Sequence, residues 1–331
     1  MSFKDTKGQD KTIATLQDYL KHGHLASSYL FVGPGGIGKK MVAKTLAKTL
    51  NCQRQSLDSC DECPSCLKIE KNQHPDVFII DAATPLRFDS PDSGNSHAVR
   101  IGHIRQLQQD ISLRPYEARY KVFIIDDAHN LTAEASNALL KILEEPPPQS
   151  VIILLSAKPN LLFKTIISRC QVLKFYPLTR FTLEELLKKD YSLHSHLAHF
   201  LAYFCDGRLG EVLKLKDTDI LNEKNKVIDA FVISRNFRPD NFLGQKRDDL
   251  RRYLNILAAW FRDIYLIKTG TAHAELINCD RKGDLLKFMP HFSFLDLDEI
   301  FQAISGFALR LEENINIKLL LANLRMEVWK G

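Results

Sequence analysis

The sequence predicts an α/β fold, a parallel sheet covered by helices on both faces, followed by an all-helical C-terminal part. Two observations carry this. Five short β-branched runs, Ser28 to Val32, Val77 to Ile80, Val122 to Ile125, Val151 to Leu155 and Val172 to Phe175, read as buried strands separated by helical patterns. After Pro177 the strand signal disappears and helical periodicity takes over.

Taken in order, the run Lys39 to Leu50 places Val42, Ala43, Leu46, Ala47 and Leu50 on one helix face, and Val99 to Ile111 does the same with Ile104, Leu107 and Ile111. A tract rich in Pro, Ser and Asp, Ala82 to Ser96, reads as a loop. Thr132 is placed to cap a helix striped by Ala135, Ala138, Leu139, Ile142 and Leu143, and Pro146 to Pro148 stop it. Breaks are expected around Gly207 and Gly210 and in the polar stretch Lys214 to Asn225. Leu250, Tyr253, Leu254, Leu257, Trp260, Phe261 and Ile264 make one packed helix face. Leu297 to Trp329 reads as helical through Phe301, Ile304, Phe307, Leu311, Leu320 and Leu324. A length of 331 residues suits two or three domains, and the breaks divide it into 1–176, 177–217 and 218–331.

Composition excludes whole classes. With 45% hydrophobic and 26% charged residues the chain is neither disordered nor fibrous. Its apolar runs, such as Ile256 to Phe261, are far short of the ~20 residues that a membrane helix needs. Met1 to Lys11 carries charge and no apolar core of a signal peptide, so a cytoplasmic, reducing location and no membrane contact are expected. A net charge of +5 permits nucleic-acid contact without arguing for it.

Gly33-Pro34-Gly35-Gly36-Ile37-Gly38-Lys39-Lys40 follows a strand and opens a helix, the setting in which such a glycine loop cradles phosphate. Gly33, Gly35, Gly36 and Gly38 free the backbone N–H groups, and Lys39 would reach the terminal phosphates. The pattern asks for Ser or Thr next, to ligate Mg²⁺; Lys40 stands there instead. An ammonium ~4.5 Å from Mg²⁺ would be repelled by roughly 7 kcal/mol at an effective dielectric of 20, so either Lys40 turns away or the metal stays out. Binding of ATP or ADP and hydrolysis are therefore separate questions. Asp126 and Asp127 end the strand Val122 to Ile125 in the Walker B arrangement, but Asp127, where a glutamate would polarise water, is one methylene short.

Cys52, Cys60, Cys63 and Cys66 offer four thiolates with two C-x-x-C steps, the ligand set of structural Zn²⁺ rather than of a catalytic ion with an open position. Free buried cysteines or a redox pair are the other readings. Cys170, Cys205 and Cys279 are isolated and read as ordinary buried residues.

Together these residues resemble the bacterial clamp-loader subunits of DNA polymerase III, an AAA+ family. The resemblance rests on Leu113-Arg114-Pro115-Tyr116-Glu117 to Lys121, on Ala135 to Pro147 with its Leu143-Glu144-Glu145-Pro146, on Ser168-Arg169-Cys170, on the cysteines between the loop helix and the next strand, and on Asn314-Ile315-Asn316 with Leu319 to Leu321. It implies an AAA+ core with an inserted zinc module (52–66), a helical lid and a helical collar. Motor members, gamma or tau, carry Thr after the loop lysine, Glu in Walker B and a sensing arginine after the lid helices. The matching positions here are Lys40, Asp127 and Gly210, which favours the delta-prime type over a gamma/tau-like motor ATPase, with Arg208 close enough to substitute for the sensor. The resemblance further implies that Arg169 is a finger acting in trans on a neighbour's ATP. It also implies gamma/tau and delta partners, and a ring that loads the β sliding clamp on primed DNA. A P-loop kinase for small molecules is disfavoured, because nothing supplies a substrate lid.

Overall fold

The computed structural model describes residues 1–85, 98–234, 247–270, 275–311 and 317–328. They form two compact units, one of Met1–Leu178 with Arg208–Gly210, the other of Thr179–Gly207 with Glu211–Gly331. Most of the tract Ala82 to Ser96, and Asn314 to Asn316, lie outside the described residues.

In the first unit five parallel strands, β1 (Ser28–Val32), β2 (Val77–Ile80), β3 (Lys121–Ile125), β4 (Ser150–Ser156) and β5 (Gln171–Lys174), stand in the order β2-β3-β4-β1-β5. Their side chains alternate between two cores, as a period of two requires. Tyr29, Phe31, Val122, Ile124, Ile153 and Leu155 face α1 (Asp10–His22) and α2 (Lys39–Asn51). Leu30, Phe123, Ile125, Ile152 and Leu154 face α4 (Ile101–Ser112), α5 (Ala133–Glu144) and α6 (Lys164–Ile167). The short α3 (Pro64–Glu70) packs on α2. Thr132 caps α5 by accepting from the Ala135 N–H at 3.2 Å.

The stretch before β3 is pinned by two side chains. The buried Asp76 carboxylate accepts from the N–H groups of Tyr116, Glu117 and Ala118 at 2.8–2.9 Å. Burial works against that charge, but the three donors outweigh it and hold the acid below its usual range. Asn51 Oδ1 takes the N–H groups of Arg119 and Tyr120, while the Lys121 ammonium satisfies the Asp110 and Leu113 carbonyls at the end of α4.

The second unit is helical: α7 (Arg180–Asp190), α8 (Ser195–Phe204), α9 (Leu209–Leu215, whose first two residues group with the first unit), α10 (Ile220–Ile228), α11 (Arg247–Lys268), α12 (Lys282–Phe288), α13 (Phe294–Arg310) and α14 (Ile317–Val328). The polar stretch Lys214 to Asn225 is not a continuous break, since α9 runs to Leu215 and α10 starts at Ile220. The helical stretch expected from Leu297 on is made by α13 and α14.

A clasp between α11 and α12 ties the second unit together. Buried Asp263 accepts from the N–H groups of Ile277 and Asn278 and from Asn278 Nδ2. Lys224, fully buried on α10, meets Asp280 at 2.6 Å. His199 on α8 contacts Glu184 at 3.0 Å and the Leu276 carbonyl at 2.8 Å. A hydrogen bond with Cys279, the Leu276 carbonyl and Glu184 lift its imidazole to about 9 against the effect of burial. Cys205 is buried as expected; Cys279 and Cys170 are only partly so.

Candidate functional site

All five strands run the same way, so β1 and β3 deliver their following residues to one edge of the sheet, on either side of β4. After β1 the chain turns through Gly33, whose N–H donates to the Ser156 carbonyl at the end of β4. A Cβ on Gly33 would lie 2.5 Å from the Phe175 carbonyl oxygen, so only glycine fits. Gly36 and Gly38 take positive φ of 75° and 95°, and Gly38 caps α2.

Lys39 is buried and folded back on the loop, its ammonium donating to the carbonyls of Gly33 and Pro34. Burial lowers its pKa, and Asp127 and Asp126 restore part of the loss. Lys40 Nζ pairs with Asp126 Oδ2 at 3.0 Å. Asp127 follows in a left-handed conformation and is exposed. The structure therefore brings Gly33, Gly35, Gly36, Gly38, Lys39, Lys40 and Asp126 to one place. Gly210, which groups with this unit, donates its N–H to the Gly36 carbonyl at 2.7 Å, and a Cβ there would collide with the Gly36 backbone.

These residues do not fit a magnesium–phosphate complex. The hydroxyl ligand is missing, and the carboxylate that would hold the ion's water is already neutralised by Lys40. A cation sits where a second cation is needed.

Arg169 makes its contacts elsewhere: Nη1 donates to the Thr165 carbonyl at 3.0 Å, and Nη2 pairs with Glu144 Oε1 at 2.8 Å. The side chain is about one-third exposed. Glu144 as its partner was not legible in the sequence, where it is one acid among two before a proline run.

The four cysteines form the second cluster. Cys52 follows α2, Cys60 lies in the loop, Cys63 caps α3 and Cys66 stands on it; their sulfurs all lie within 4.8 Å of one another. A tetrahedral ion with metal–sulfur bonds of about 2.3 Å sets sulfurs about 3.8 Å apart, so the set fits one. The Cys63 N–H points at Cys60 Sγ (3.3 Å) and the Cys66 N–H at Cys63 Sγ (3.5 Å), donors suited to thiolates. Burial raises the Cys60 thiol, but the N–H groups of Glu62 and Cys63 outweigh it and bring it to about 6, whereas burial pushes Cys66 well up.

Residues 8–179 match the family described as DNA polymerase III, delta subunit, and residues 224–328 match its C-terminal family. The chain belongs to the DNA polymerase III clamp-loader subunit family. The delta-prime subunit of Bacillus subtilis is 27% identical over 98% of this chain and 97% of its own length. The tau subunit of the same bacterium is 31% identical over 81% of this chain and 50% of its own, and that of Escherichia coli 32% over 68% and 34%. The chain thus spans half or less of these tau subunits. A solved gamma subunit-related protein from Thermotoga maritima aligns over 96% of this chain and 98% of its own at 14% identity, with a TM-score of 0.46.

The cysteine module is clamped to α2 by Lys48, which is almost wholly buried and pairs with Asp61 at 2.6 Å and Glu70 at 2.8 Å. Burial disfavours both carboxylates as anions, but the Lys48 ammonium outweighs it and holds them below the ordinary carboxylate range. With folded values below unfolded ones, their contribution is complete above about pH 4.5 and is lost as pH falls through the folded values. Thermal melts should show Lys48→Met less stable by about 1–2 kcal/mol at pH 7, modest for a buried lysine because water screens both partly exposed acids. Its acid-side loss of stability should be shallower than that of the unmutated chain; parallel acid limbs would contradict the clamp.

Proposed function

We propose that this chain is a delta-prime-type subunit of a clamp loader, one that turns over no ATP of its own and lends Arg169 to the ATP site of a neighbour. The Lys40–Asp126 ion pair is the observation that supports this most strongly, because it spends the metal-binding carboxylate internally. The short Asp127 and a glycine at the position of the sensing arginine point the same way. So does the match to the delta-prime relative along its whole length.

In this reading the partners are gamma/tau and delta subunits, and through them the sliding clamp and primed DNA, in the cytoplasm. The regions 1–176, 177–217 and 218–331 act as AAA+ core, lid and collar. Gly33, Gly35, Gly36, Gly38, Lys39, Asp126 and Asp127 are a remnant nucleotide site, and Cys52, Cys60, Cys63 and Cys66 hold a structural Zn²⁺. Four sulfur ligands leave that ion no open position, so it steadies the module between α2 and α3 and does no chemistry.

Protein purified under reducing conditions should carry one zinc per chain by metal analysis. Cys63→Ser should lose the ion and several degrees of thermal stability; a metal-free unmutated chain would contradict the assignment.

A trans guanidinium stabilises charge on a transferring phosphoryl group and is worth orders of magnitude at the site it serves. In the assembled complex Arg169→Ala should leave assembly intact and lower clamp- and DNA-stimulated hydrolysis at the neighbouring site by tenfold or more, and lysine, lacking the planar fork, should recover little. An unchanged rate from a complex that forms normally would contradict the role of Arg169.

A further inference from the structure

Arg169 is held by two partners of different kinds. The Thr165 carbonyl lies one helical turn before it, on α6, and moves with it. Glu144 is the last residue of α5, a separate element that packs against α6 through the core beneath the sheet. The nitrogens engaged are Nη1 and Nη2. Those two form the outer edge of the guanidinium, the edge that forks a phosphate.

We propose that Glu144 is a positioning residue for Arg169, holding the guanidinium parked within its own chain until the phosphate of a neighbouring nucleotide displaces the carboxylate. This rests on the reading of Arg169 as a finger. The parked state has two consequences. The carboxylate cancels the positive charge that the reaction needs, so the resting subunit offers its neighbour little. The pair is also half exposed on the Glu144 side, which keeps it weak enough for a multiply charged phosphate to compete. The carboxylate stands in the C-terminal turn of α5, where a negative charge opposes the helix dipole; its removal costs α5 nothing. An acid at this place is better explained by the arginine than by the helix.

The test is a double-mutant cycle in the assembled complex with its motor and delta subunits. Glu144→Gln keeps the shape and removes the charge. It should raise ATP hydrolysis measured without clamp or DNA by about two- to fivefold, the range of an exposed ion pair. The fully stimulated rate should stay the same, and thermal stability should be unchanged or slightly higher. In an Arg169→Ala background the same substitution should have no effect. An unchanged or lowered unstimulated rate for Glu144→Gln overturns the proposal, as does a gain that persists without Arg169. Arg169→Ala alone separates the two failures. If it lowers stimulated hydrolysis while Glu144→Gln changes nothing, only the parking fails; if it leaves that rate intact, the finger reading fails and the parking with it.

Discussion

In a sheet whose five strands all run the same way, every strand-to-helix turn opens at one edge, and that constraint sets what stands beside what in this protein. It brings the glycine loop after β1 next to the acid after β3, with the end of β4 between them receiving the Gly33 N–H. Two dry faces are needed to keep such a sheet parallel, and the alternation of Tyr29 and Phe31 against Leu30, or of Ile124 against Phe123 and Ile125, provides them.

Lys40 stands at this edge beside Asp126. In a hydrolysing site the position after the loop lysine and the acid after β3 share a divalent ion. Here the same two positions share a proton-bearing ammonium, which neutralises Asp126 directly. An ion pair of this kind satisfies the local charge and leaves the loop folded, with Lys39 turned onto its own carbonyls. The architecture of the loop persists around this pair. Arg169 pairs with Glu144 at the end of α5 and makes no use of this ion pair, so the role proposed for it in trans does not depend on Lys40.

Much of this was legible in the sequence, for identifiable reasons. The central strands β1, β3 and β4 are buried on both faces and leave nearly uninterrupted apolar runs, and short β-branched runs mark β2 and β5, so all five were placed within a residue or two. The four cysteines announced a cluster by spacing alone, and the structure gathers their sulfurs. Lys40 was visible as a departure, but its partner was not, since a pairing between the first turn of α2 and the residue after β3 depends on sheet order. Glu144 was hidden for the same reason: its contact with Arg169 exists only once α5 and α6 are packed. Asp76 gave no signal, because a carboxylate that gathers three backbone N–H groups looks like any acid before a strand. Apolar periodicity marked the C-terminal stretch as helical without dividing it into α13 and α14, because it has no means of marking where one amphipathic helix hands over to the next.

The central claim is that Lys40 takes the place of the metal, and the most direct measurement is the affinity of the purified chain for ATP with and without Mg²⁺, beside that of Lys40→Thr. The account predicts that Mg²⁺ gives the unmutated chain no gain, whereas the threonine variant gains about tenfold or more, with turnover still negligible because Asp127 is unchanged. Tight, Mg²⁺-dependent binding by the unmutated chain, lost on Lys39→Ala, would contradict it.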